Sequence, residues 1–119
     1  RVLVGIDGGA SSMKAVELIA RSPLFRGLAV QLVTVGTAAA EARAALERAR
    51  SLLSAAGIVA ETAILPGQPE TVLGHLVDAA PFDLLVMGAY GHSRIRSLII
   101  GSTTAAMLRS CKVPVVLVR

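Results

Sequence analysis

Apolar residues along this chain fall in short blocks separated by glycines, prolines and longer stretches of helical periodicity. Val2–Asp7 (V-L-V-G-I-D) is a β-branched run closed by Gly8-Gly9 and predicts a first strand. Met13, Val16, Ile19 and Ala20 then recur at helical spacing, with Ser11 or Ser12 placed to cap that helix. Gly27 breaks the pattern, and Ala29–Val35 (A-V-Q-L-V-T-V) predicts a second strand. Ala38–Ala56 is an amphipathic helix rich in Ala and Arg that stops at Gly57. Val59–Leu65 alternates as a third strand and ends at Pro66-Gly67. Pro69 suits the first turn of a helix running to about Ala79, which Pro81 terminates. Leu84–Met87 is a fourth strand. A loop from Gly88 to Gly101, a helix from Ser102 to about Ser110 and a fifth strand, Val113–Val118, complete the chain.

The order β-α-β-α-β-α-β-α-β predicts an α/β fold: a doubly wound, five-stranded parallel sheet in one domain spanning residues 1–119. Such sheets bind ligands beyond the carboxyl ends of their strands, where the strand order reverses.

Composition narrows the partners. The 119 residues are 54% apolar and 17% charged, which excludes a disordered chain. Mean hydropathy is high, +0.69. No stretch reaches the roughly 18 uninterrupted apolar residues of a spanning helix, so the hydrophobicity is assigned to strands buried on both faces, and no membrane role is expected. The net charge of +4 comes from scattered basic residues, with Phe and Tyr together numbering three and Trp absent. Neither a stacking platform nor a basic stripe is visible, so nucleic acid is not expected as a partner. A single cysteine, Cys111, fits a reducing, cytoplasmic setting and reads as a small buried hydrophobe near the end of a helix. The chain opens on Arg1, without Met or a visible signal peptide, as a trimmed chain or one module of a longer protein would.

The most informative stretch runs from Met87 to Thr103, M-G-A-Y-G-H-S-R-I-R-S-L-I-I-G-S-T. Gly88 and Gly91 follow a strand, and Gly101-Ser102 opens a helix. Glycines let backbone approach a ligand closely, and the unpaired amides of a helix N-terminus suit phosphate. His92, Arg94 and Arg96 add positive charge between them. The residues alone leave two readings open: an anion site, or a long connection whose glycines only turn the chain.

Gly88-x2-Gly91-x9-Gly101-Ser102 resembles the G-x2-G-x9-G-[S/T] pattern of the ATP-binding universal stress proteins. The resemblance extends from the opening V-L-V-G-I-D-G to the closing V-P-V-V-L-V. It implies strand order 3-2-1-4-5 and an adenine-nucleotide ligand, ATP or AMP, with Mg²⁺ accompanying ATP near Asp7. It places Asp7 near ribose and phosphates, the Val35 backbone against adenine, and Gly88, Gly91, Gly101 and Ser102 on ribose and phosphates. Thr103 and His92 complete the implied site. It also implies a stress-response module and a homodimer through the edge strand Val113–Arg119, or the same edge met by a tandem domain. The chain departs from the family in having Gly9 for a Ser, Tyr90 for a basic or small polar residue, and a short segment after Val35. The shortening leaves the adenine end more open.

Other candidates are weaker. His75 and Asp78 lie three apart on a helix, too few for a metal site, and read as a solvated face. Glu41, Arg43, Glu47, Arg48 and Arg50 read as an exposed, salt-bridged face. There is no P-loop lysine, no G-x-S-x-G elbow and no visible water-activating base, so the chain reads as a binding module rather than an enzyme. An assembly domain without nucleotide and a weak ATP hydrolase are the alternatives.

Overall fold

The computed structural model describes residues 1–7, 10–36, 40–79, 81–88 and 112–118. Within them, β1 (Val2–Gly5), β2 (Val30–Val35), β3 (Ala60–Leu65), β4 (Leu84–Gly88) and β5 (Val115–Val118) form one parallel sheet ordered β3-β2-β1-β4-β5. Helices α1 (Ala10–Arg21), α2 (Ala40–Ala55) and α3 (Pro69–Ala79) connect them. The expected fold and strand order are both present. The helix expected over residues 102–110, and Cys111, lie outside the described residues.

Two-sided burial explains the hydropathy. In β1, Val2, Leu3 and Val4 are each at most 1% exposed. Successive side chains of a strand point to opposite faces. Val2, Val4 and Ile6 therefore join Val30, Leu32 and Val86 in a core with Ala15, Val16 and Ile19 of α1 and Leu46, Ala49 and Leu53 of α2. Leu3 joins Val33, Leu85 and Met87 on the other face, against Leu73 and Val77 of α3 and Phe82. This is how a small domain with few aromatics assembles a continuous interior.

The ends of α2 and α1 contrast. At the end of α2, the Ile58 amide donates to the Leu53 carbonyl (2.9 Å) and the Gly57 amide to the Ser54 carbonyl (2.9 Å). Gly57 has φ +82. This pairing, with buried Leu53 against buried Ile58, is the Schellman stop that the glycine announced. The α1 start corrects the sequence reading: the helix begins at Ala10, so Ser11 and Ser12 lie inside its first turn rather than at its cap. Ser12 is 1% exposed, drawn into the helix by packing against the sheet. A 3₁₀ turn, Pro23–Phe25, also precedes β2; the Ser22 side chain caps it by accepting from the Leu24 amide at 3.3 Å.

Exposed helix faces match expectation. His75 and Asp78 are exposed on α3, and Glu41, Arg43, Glu47, Arg48 and Arg50 on α2. Arg50 donates to Glu47 through two guanidinium nitrogens, and that hydrogen bond holds the Glu47 carboxyl below its ordinary range. Among the described residues, no helix is long and apolar enough to cross a membrane.

The positive φ makes Gly57 a test of the α2 stop. Gly57→Ala should lower unfolding free energy by about 1 kcal/mol, the cost of a Cβ in the left-handed region. Gly57→Asn should lose less. Equal denaturation midpoints for Gly57→Ala and the parent would refute the assignment.

Candidate functional site

β1 is hydrogen-bonded to β2 on one side and β4 on the other. The chain leaves β1 toward β2, while β4 leads to β5 on the opposite side, so strand order reverses between β1 and β4. The crevice expected in this fold opens above that pair, at the carboxyl ends.

Register sets what surrounds it. Gly5 lies beside Val33 and beside Met87. One step further, Ile6 continues the alignment: its amide donates to the Val33 carbonyl at 2.8 Å, and it falls level with Thr34 and Gly88. Asp7, one residue beyond and half-buried, then stands between the ends of β2 and β4. The fold thus brings together three of the predicted residues, Asp7, Val35 and Gly88. Gly91, His92, Gly101, Ser102 and Thr103 lie outside the described residues, as do Tyr90, Arg94 and Arg96.

Gly88 has a structural reason to be glycine. A Cβ there would lie 2.7 Å from Ser11 Cβ and 2.9 Å from the Ser12 backbone nitrogen. The first turn of α1 sits directly on the end of β4. The sequence had suggested ligand approach or a mere turn of the chain for this glycine; helix packing demands it independently.

Gly36 is a feature that sequence reasoning passed over. It ends β2 with φ +142, and its amide donates to the Leu65 carbonyl at 2.8 Å. This conformation strongly favours glycine, and it redirects the chain just after Val35. A glycine following a β-branched run was the available signal.

Among the described residues, no group of three or more His, Cys, Asp or Glu is placed to hold a metal. Asp7 places one carboxylate at the expected crevice, too few donors for a metal cage of its own. A depression of about 590 Å³ opens at the opposite, amino-terminal end of the sheet, against Gly27, Leu28, Gly57 and Val59. Its charged groups are Arg1 and Glu61. It lies away from the switch point and gathers none of the predicted residues.

A family model described as the universal stress protein family matches residues 28–119. The chain belongs to the universal stress protein family. It is 40% identical over its whole length to universal stress protein Slr1230 of Synechocystis sp. (strain ATCC 27184 / PCC 6803 / Kazusa), and spans 42% of that protein's length. A crystal structure of a universal stress protein in complex with cAMP is 32% identical, with a TM-score of 0.79 over 99% of this chain and 94% of the other. A universal stress protein family member from Arabidopsis thaliana with AMP bound shares the fold at 19% identity. Its TM-score is 0.77, covering 98% of this chain and 89% of that one.

Contact between Gly88 and α1 makes a prediction independent of any ligand. Gly88→Ala should destabilise the ligand-free universal stress protein domain by about 1–3 kcal/mol, the usual range for overpacking. Chemical denaturation without nucleotide would measure it. An unchanged midpoint would mean that α1 does not bear on β4 as described.

Proposed function

We propose that this chain is an adenine-nucleotide-binding regulatory module of the universal stress type, acting through its contacts with a second subunit or domain. The observation that carries the reading is the meeting of Asp7 and Gly88 at the switch point. Gly88 is also the first residue of the Gly88-x2-Gly91-x9-Gly101-Ser102 pattern. Family relatives with cAMP and AMP bound support an adenine ligand. In this reading the Val35 backbone meets adenine, Asp7 lies toward ribose and phosphates, and Gly91, Gly101, Ser102 and Thr103 surround the phosphates, with His92 adding charge. ATP would bring Mg²⁺ on its own phosphate oxygens, beside Asp7. Binding rather than hydrolysis is the proposed activity; the sequence carries neither a P-loop lysine nor a G-x-S-x-G elbow. The setting proposed is cytoplasmic.

The glycine pattern is tested directly. Gly101→Val should abolish ATP and AMP binding by placing a branched side chain where phosphate must approach backbone. Ser102→Ala should weaken binding by about 1 kcal/mol, the scale of one hydrogen bond. Calorimetry on folded variants reads both, and full affinity in Gly101→Val removes the nucleotide reading.

The assembly half of the proposal rests on β5, the sheet edge beyond β4. Val116 and Val118 pack toward the α1–α2 core and Val115 and Leu117 toward the α3 side, all four half-buried. An apolar edge of this kind invites a second strand. Antiparallel pairing with another copy about a two-fold axis would cover it; a neighbouring domain in a longer chain would do the same. Light scattering at micromolar concentration should give a dimer for the parent and a monomer for Val116→Lys. A parent that stays monomeric removes the homodimer.

A further inference from the structure

Thr34 presents a problem that the binding site can solve. Its side-chain hydroxyl is buried and has no hydrogen-bond partner among the described residues, while the residue as a whole is 9% exposed. Buried hydroxyls are normally paired, and an unpaired one destabilises the fold that holds it.

Its position points to the crevice. Thr34 alternates with Val30 and Leu32 and so faces the α1–α2 side of the sheet. It pairs in register with Ile64 and continues level with Ile6 and Gly88, the last row on that face; Val35 and Leu65 follow on the other. Gly88 in that row touches the first turn of α1. Thr34 belongs to β2, two strand spacings from β4, or about 10 Å. That separation is comparable with the span of a mononucleotide from phosphate to base. With phosphate assigned to the glycine pattern beyond β4, Thr34 falls at the base end, next to Val35.

We propose that Thr34 is a base-reading contact, its hydroxyl pairing with a polar atom on the edge of the purine. Since the hydroxyl has no partner among the described residues, rotating it about χ1 toward the crevice sacrifices no hydrogen bond to them. A hydroxyl both donates and accepts, which suits the mixed donor and acceptor edge of adenine. The inference rests on the nucleotide-binding reading and adds to it a side chain that selects for the base.

The test compares the parent, Thr34→Val and Thr34→Ser by calorimetry with AMP and with ribose 5-phosphate, which lacks a base. Valine preserves the shape and removes the hydroxyl. Thr34→Val should bind AMP about tenfold more weakly, with affinity for ribose 5-phosphate unchanged, and Thr34→Ser should retain AMP binding. Ligand-free Thr34→Val should melt above the parent, because its buried unpaired group is gone. If the parent binds AMP and Thr34→Val binds it equally well, Thr34 is no contact, and the nucleotide reading stands. An equal loss for both ligands marks a general distortion and also overturns the role. A parent that binds no AMP overturns both readings together.

Discussion

Strand β1 is hydrogen-bonded on both sides to strands that lead the chain in opposite directions, and the rest of the structure depends on that arrangement. A strand in this position has no solvent-facing side, so its sequence must be apolar on consecutive residues, as Val2, Leu3 and Val4 are. Helices must then cover both faces, which places α1 and α2 on one and α3 on the other. Where the coverings part, beyond Gly5, the chain carries its first polar side chain after Arg1, Asp7. The polarity of the candidate site and the burial of the core therefore follow from the same topology.

The glycines of this chain answer different demands. Gly57 and Gly36 are needed for their backbone angles, φ +82 and +142. Gly88 is needed for space, because α1 rests on it. That distinction bears on how the motif is weighed. A glycine fixed by helix packing would persist in a relative that had lost its nucleotide, so Gly88 supports binding through its place beside Asp7 at the switch point, not through its identity. Within the motif, Gly101 and Ser102 are the residues whose types, by sequence, suit phosphate.

Sequence reading captured what local chemistry determines. The α2 stop was legible because a Schellman motif needs glycine at one position, and Gly57 stands there. The third helix, Pro69–Ala79, was legible from its flanking prolines. The start of α1 was not, since the two serines that would ordinarily cap a helix are held in its first turn by contact with β4, a tertiary effect. Of the site, Asp7, Val35 and Gly88 could be placed together because strand ends and strand order sufficed. Thr34 was invisible for the opposite reason. Threonine is an ordinary strand residue, and what marks it is the burial of its hydroxyl without a partner among the described residues.

The two edges of the sheet complete the functional argument, because they differ in kind. On β3, Glu61 and Thr62 are both exposed, and a charge midway along an edge discourages another strand from pairing there. The described residues of β5 are Val115, Val116, Leu117 and Val118, with no charge among them. Pro114 removes one amide donor just before the strand, leaving the later positions able to pair. Among the described residues the sheet thus carries a charge on one edge strand and none on the other, and the proposed partner would meet β5. That edge also adjoins β4, the strand ending at Gly88. A partner on β5 would therefore sit one strand away from the proposed nucleotide crevice, close enough for occupancy of the crevice to alter the contact.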